Sequence, residues 1–533
     1  MLGREFGYDL IEQVVLRPAA GLVAGLDRLA EAGLLFRRGV APQSSYLFKH
    51  ALVQDAAYST LLRARRQELH ARVAAALERV FADLVERHPE LLAHHLTAAG
   101  DTERAVAQWL KAGRRAIQRS ANLEAIGHLR NGLELVMTLT DTPERAQHEL
   151  VLRTTLGSAL AAAKGQGAPE FGEAYARARE LCRQVGETPG QLFPVLFGLW
   201  YFRLARAEMR TAREFAEQLL GLAQSADDPA LLLAAHRSLG QNLSFLGELA
   251  GARYHLERGI NLYDVEQHRS LALLYGQDLG VLCRSWACFG LWLLGYPDQA
   301  LLQSREALAL ASELAHPYSL SYALNWTVML HIYRLELQAI HERTEAMIVI
   351  ARGQGFAMWN ASGPIWRGWL SAEHGRGEEG IALMRQGLAA WSAAGGNLFR
   401  PYYLGLLAEA CGNAGQIAEG LSLLAEALAT AHKTGERFYE AELHRLIGKL
   451  LLEEVPSNVA EAENSFSRAL DVARRQQAKS LELRAATSLA RLWGEQGRPG
   501  EARELLAPLY GWFTEGFDTA DLIDAKALLD QLV

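Results

Sequence analysis

The sequence predicts an all-α protein, a solenoid of antiparallel helix pairs preceded by a small domain of different character. The first observation is a recurring pattern from about Leu91 to Leu509: a small residue, usually a larger apolar residue four positions on, then a small residue or Leu three further. Its anchors are Ala105, Ala125, Ala212, Ala252, Ala300, Ala339, Gly380, Gly420, Ala462 and Ala502, and the last six are 39, 41, 40, 42 and 40 residues apart. A fixed period of that size belongs to stacked helix pairs rather than to a globular enzyme core. The second is composition: half of the 533 residues are hydrophobic, 22% are charged, and the strong helix formers Ala and Leu dominate. The third is the scarcity of breakers, with fifteen prolines leaving long uninterrupted stretches.

The elements before the repeats follow a different rule. Tyr8–Val15 and Gly21–Leu35 read as short amphipathic helices, the second with Leu22, Leu26 and Leu29 on one face. Leu35-Phe36-Arg37-Arg38 and Ser45-Tyr46-Leu47-Phe48 flank a turn at Gly39–Gln43, a β-hairpin signal. A long helical stretch is expected from His50 to about Val85. Helix, helix, hairpin and helix is the order of a winged-helix domain, so residues 1–86 are assigned to one, 87–516 to the repeats and 517–533 to a closing helix.

Within the repeats the clearest unit runs from Pro229 to Leu262. Leu239-Gly240, Leu243, Gly247, Ala252, Leu256 and Gly259 have a spacing that returns as Leu407-Ala408, Cys411, Gly415, Gly420, Leu424, Ala427. It returns again as Leu489-Ala490, Trp493, Gly497, Ala502, Leu506, Leu509. This resembles the tetratricopeptide repeat, whose small residues let two helices approach closely. Gly247, Gly295, Gly375, Gly415 and Gly497 fall where the first helix of a pair should end. Two departures stand out. The units exceed the usual length of about 34 residues, and a loop is expected at Tyr263–Ser270, where the interval widens. Ser304 and Arg343 stand where a large apolar residue belongs, marking an irregular middle.

Trp109, Trp292, Trp366, Trp369 and Trp493 lie along these helices, and most such aromatics read as core. The tetratricopeptide register also assigns a concave groove. It would carry Arg237, Gln241, Ser244, Phe289, Trp292 and Trp369, then Tyr402, Glu409, Glu442, Arg445, Lys449, Arg484 and Arg491. Such a groove, aromatic at one end and charged at the other, suits a peptide or helix held by apolar anchors and ion pairs. The competing reading is an ordinary solvated face.

The net charge of −7 gives no basis for general attraction to nucleic acid or anionic membrane. Cys182, Cys283, Cys288 and Cys411 lack CxxC spacing, so they read as buried small hydrophobes in a reducing compartment. Charge near the N-terminus argues against a signal peptide, and no apolar run approaches the roughly 20 residues of a membrane span. A cytoplasmic protein is expected.

Leu2-Gly3-Arg4-Glu5-Phe6, Leu26-Asp27-Arg28-Leu29, Gly33-Leu34-Leu35-Phe36 and the run from Tyr46 to Tyr58 resemble the winged-helix end of bacterial STAND-type ATPases. The resemblance extends over the chain, through Gly295-Tyr296-Pro297-Asp298-Gln299-Ala300 to the closing Tyr510–Thr519 segment. In the similar proteins a class III adenylate/guanylate cyclase domain and an AAA-like P-loop ATPase precede these parts. The resemblance therefore implies a sensor and regulatory half, truncated or encoded apart from its motor, with a protein or peptide in the groove and a nucleotide-binding or cyclase domain as partner in cis or trans. It also implies that His50, after Phe48-Lys49, approaches a bound nucleotide's phosphates; the bland reading is a capping or packing histidine.

No GxxxxGK[ST] occurs, and Gly448-Lys449-Leu450 lacks both the Gly-rich run and the hydroxyl. His94-His95 has no partner at zinc-site spacing, and no GxSxG or HExxH is present. No catalytic residue, cofactor or metal is assigned, and the chain by itself is expected not to be an enzyme. Two alternatives remain: a fragment of a multidomain cyclase with an ATP-binding domain, or a transcriptional regulator using Arg37, Arg38, Lys49, Arg63, Arg65 and Arg66 on DNA.

Overall fold

The computed structural model describes residues 4–15, 18–40, 43–455 and 458–532. Leu2 and Gly3 of the STAND-like motif and residues 41–42 of the hairpin turn lie outside them. The chain divides into two compact units, Met1–Leu156 and Gly157–Val533, with the cut inside the long Pro143–Lys164 helix.

In the first unit the expected hairpin is formed by β2 (Leu35–Val40) and β3 (Gln43–Phe48), paired Leu35 to Phe48 and Arg37 to Tyr46. A strand that the sequence reading lacked, β1 (Glu5–Gly7), pairs with the other edge of β3, giving the antiparallel order β1-β3-β2. Three residues are too short for an alternation signal. Helices Tyr8–Val14 and Ala19–Glu31 cover the sheet, and Phe6, Tyr8, Leu22, Leu26, Leu35 and Tyr46 form its core. Leu29, expected on the same face as Leu22 and Leu26, is exposed.

The stretch expected as one long helix from His50 is broken into Ala51–Ser59, Arg63–Val80 and Ala82–Arg87. Ser59 Oγ and Thr60 Oγ1 donate back to the carbonyls of Ala56 and Ala57, offering the backbone an alternative to helix at the first break. Pro89–Ala99, Thr102–Gln118 and Asn122–Val136 then pack as antiparallel helices, with Ala105 and Ala125 fully buried at the close approach.

The second unit is a tetratricopeptide-like solenoid. Its first helices are Pro189–Ala205, Pro229–Leu246, Leu279–Leu293, Pro317–Arg334, Ala357–Glu373, Arg400–Asn413, Glu440–Glu454 and Lys479–Glu495. Each pairs with the helix after it: Met209–Ala226, Leu249–Leu262, Pro297–Glu313, Leu337–Gln354, Gly377–Ala393, Ile417–Thr434, Val459–Gln476 and Pro499–Tyr510. The anchor residue is the fourth of each second helix, as in Ala252, Ala300, Gly420 and Ala502. One anchor needs correction. Ile340, not Ala339, holds the fourth position and is fully buried, followed by Thr344 and Met347. Arg343 is therefore a register error and not an irregularity. Ser304 is a real departure, but its hydroxyl bonds Thr327 Oγ1 at 2.9 Å, which satisfies it inside the core.

Gly247 and Gly415 adopt φ of 76° and 77° and end their helices in the left-handed conformation that L side chains resist. The expected loop at Tyr263–Ser270 is instead an insertion with short helices Val265–His268 and Leu271–Tyr275, the first capped by Asp264 accepting from Gln267 N at 2.9 Å.

First and second helices differ in burial. Pro317–Arg334 is buried nearly all round, whereas Pro297–Glu313 buries only a stripe of Pro297, Ala300, Ser304, Ala307 and Ala311. The cause is closure of the coil. Ala205 O, at the end of one first helix, accepts from Asn397 N, at the start of the first helix five pairs later. The same step recurs where Phe245 O accepts from Arg437 N at 2.7 Å and Trp292 O accepts from Ser480 Oγ across 188 residues. Arg334 likewise reaches Asp518 before the closing helix, Ala520–Gln531. The axis is filled by rings of Phe245, Trp286, Phe289, Trp326, Phe399 and Phe438 in mutual contact.

Candidate functional site: the inner face of the repeat coil

Closure changes what the inner face presents. Phe289, Trp292 and Tyr402, expected as groove lining, are at most 2% exposed. Trp292 stacks on Tyr333 with centroids 4.0 Å apart and carries the Arg484 guanidinium at 5.0 Å, while Phe289 packs between Trp326 and Phe438. These side chains do point inward, but other turns of the coil cover them: Arg484 lies over Trp292, Phe438 over Phe289, and Tyr333 and Tyr439 against Tyr402. Ser244 is also buried, its hydroxyl returned to Gly240 O.

The charged half of the list comes together. Trp369, Glu409, Arg445, Arg484 and Arg491 line one cleft of about 170 Å³, with Tyr333, Tyr439, Asp521 and Asp524. Glu442 lies beneath it and accepts two bonds from Arg445 at 2.8 and 3.0 Å and one from Arg484 at 3.3 Å. Arg484 also donates to Asp521 at 2.8 Å and to Tyr333 O at 2.9 Å. Burial works against the Glu442 carboxylate, but the two guanidiniums prevail and hold its pKa at about 2. Arg491 is exposed at the rim, forked on Asp524 at 2.7 and 2.9 Å. An adjoining hollow is lined by Glu409, Arg445, Arg491 and Lys449, whose ammonium reaches Asn413 Oδ1 at 3.2 Å. Burial, then the nearby Glu409 carboxylate, raises the pKa of Glu373.

Arg237 and Gln241 lie elsewhere. Arg237 has no exposed surface, and none of its Nε, Nη1 and Nη2 atoms has a hydrogen-bond partner among the described residues. Its guanidinium rests instead over Trp200, Tyr201 and Phe197 at 4.8, 5.0 and 5.6 Å. Each such contact offsets roughly 0.5–2 kcal/mol, against a desolvation penalty of several kcal/mol for a buried ion. Gln241, one turn on, lines a chamber walled by Tyr201, Trp286, Tyr318, Tyr322, Trp326 and Trp359.

His50 is exposed at the N-cap of Ala51–Ser59 without a side-chain capping bond. All four cysteines are buried free thiols, and burial raises the pKa values of Cys283 and Cys288 to about 12. Among the described residues there is no group of three or more His, Cys, Asp or Glu side chains able to hold a metal, and no helix is long and apolar enough to cross a membrane. Sequence reasoning missed Tyr333, Tyr439, Asp521 and Asp524. Tyr439 and the two aspartates lie outside the repeat register used for the groove, and Asp521 and Asp524 enter from the closing helix.

No protein-family model matches the chain. An uncharacterized protein of Rhizobium meliloti (strain 1021) is 26% identical over 428 residues, covering 80% of this chain; the chain spans only 41% of that relative's length. Among solved structures, a Rap protein complexed with competence and sporulation factor aligns at a TM-score of 0.47 and 11% identity, over 75% of this chain and 99% of that one. Yeast Tom70 aligns at 0.33 and 12%, over 91% and 96%. A STAND protein with a tetratricopeptide repeat sensor from Pyrococcus horikoshii aligns at 0.32 and 12%, over 99% and 62%.

Proposed function

We propose that the chain is a non-catalytic regulatory module that takes a protein or peptide segment at the Trp369–Arg491 cleft. The observation that carries this reading is the cleft itself. The inner face is closed by ring packing along much of its length, yet here Glu409, Arg491 and Asp524 reach solvent over an aromatic floor. Fixed charges around apolar anchors suit one extended or helical segment. The Glu442–Arg445–Arg484 network holds the site in shape rather than adding net affinity, because its charges already satisfy one another.

The second part of the proposal concerns the sheet-bearing N-terminal segment, which acts as a winged helix docking on a nucleotide-binding domain of a STAND-type ATPase in cis or trans. The order strand, helix, helix, hairpin and helix supports it, as does the exposed position of His50. A partner in the cleft regulates that docking only if it binds the two arrangements with different affinity.

The test is a photocrosslinking amino acid placed at Glu409 or Arg491, with outward-facing Arg468 as control. Adducts with a cellular protein from the first two positions alone support the assignment. Equal labelling from Arg468, or none from either cleft position, removes it. Nucleotide binding offers a separate check. The chain alone should show no measurable ATP or ADP affinity, and tight binding would contradict a pocket lying on another domain.

A further inference from the structure

We propose that the chamber beside Arg237 binds a small organic monocarboxylate with an apolar body. The deeply buried guanidinium is the exception among its kind. Arg334 meets Glu336 at 2.7 Å, and Arg445 and Arg484 share Glu442, whereas all three Arg237 nitrogens lack partners among the described residues. A fully buried, unpaired cation favours an anion that supplies what the protein does not.

The chamber adjoins the guanidinium through shared neighbours, although Arg237 does not itself line it. Tyr201 and Gln241 both line it, and Arg237 lies 5.0 Å over the Tyr201 ring, one turn before Gln241 on the same helix. Tyr318 and Tyr322, also in the wall, lie within electrostatic reach of the guanidinium. Among the described residues the Tyr201 hydroxyl has one hydrogen bond, a long one of 3.4 Å to Gln277 Oε1. Gln241 Oε1 and Trp359 Nε1 are further buried polar atoms without partners.

The chemistry of the lining narrows the occupant. One planar guanidinium matches one carboxylate through two parallel N–H···O bonds. A single cation with neutral neighbours does not balance a dianion such as a phosphate monoester. The flat walls of Trp286, Trp326, Trp359 and Phe399 suit an apolar or aromatic body. The free space is about 50 Å³, where one water needs roughly 10–15 Å³, so the occupant is a small molecule and not a peptide. This site is separate from the cleft, and either assignment stands without the other.

The experiment titrates the full chain with benzoate and isovalerate, each against its neutral amide, by calorimetry and thermal unfolding. At least one carboxylate is expected to bind tenfold or more tightly than its amide, with that preference lost in Arg237→Met and retained in Arg491→Met. Equal binding of acid and amide by the wild-type chain overturns the proposal without any variant. A preference that survives Arg237→Met overturns it as well. Should that variant not fold, Ala205→Leu narrows the chamber from its wall without touching the guanidinium; unchanged carboxylate affinity there is the contradicting result.

Discussion

Two buried glutamates near the inner face respond to pH in opposite senses. Glu442, held at about 2 by Arg445 and Arg484, gives stability that is present above its ordinary 4.5 and lost as pH falls toward 2. Glu436 is the reverse. Burial raises it to about 8, despite bonds from Phe399 N and Thr434, and its Oε1 has no partner among the described residues. Stability that is full below 4.5 is therefore lost as pH rises through 8. The unfolding midpoint of Glu436→Gln should fall less than that of the wild type between pH 5 and 8; parallel curves would show that Glu436 ionises freely in the fold. Arg484→Met removes the guanidinium that pairs Asp521 and leaves Glu442 to Arg445 alone, and should cost about 3–5 kcal/mol in denaturant unfolding. A loss under 1 kcal/mol would mean that the network is not coupled as the distances suggest. The sequence placed Glu442, Arg445 and Arg484 on one face, and the i,i+3 spacing of Glu442 and Arg445 suits their pairing, but the bonds of Arg484 to Glu442 and Asp521 cross 42 and 37 residues and are not given by spacing.

At the scale of elements, glycines of the same chemistry divide by what faces them. A Cβ on Gly380 would lie 2.5 Å from Gly368 O and 2.8 Å from Ala372 N, so Gly380→Ala must push two helices apart. It should destabilise by about 1–3 kcal/mol. Gly353, in an exposed helical position with nothing within 4 Å, should instead gain roughly 0.5–1 kcal/mol as Ala. Chemical denaturation of the two variants reads both signs, and a stable Gly380→Ala would contradict the close approach. Helix existence and turn positions were legible because small residues and left-handed glycines recur with the repeat. The exception at Ala339 arose where Ile340 replaces a small anchor, so the pattern matched one residue early. The break after Ser59 escaped because hydroxyls bonding back to the helix leave no apolar signature.

At the scale of the repeat unit, the solenoid was legible but its closure was not. A period of about forty residues specifies how each pair meets the next, whereas superhelical pitch depends on small rotations summed over many pairs. Hence Phe289, Trp292 and Tyr402, assigned to an open groove, became an axial core, while Trp369 and the charged residues at the far end line a cleft. Closure is most directly tested by a cysteine pair at Arg206 and Asn397, both exposed beside the Ala205–Asn397 backbone bond. A short bis-maleimide should crosslink them within one chain, independent of protein concentration. Absence of an intrachain product, with both cysteines reactive, would contradict a coil that closes on itself.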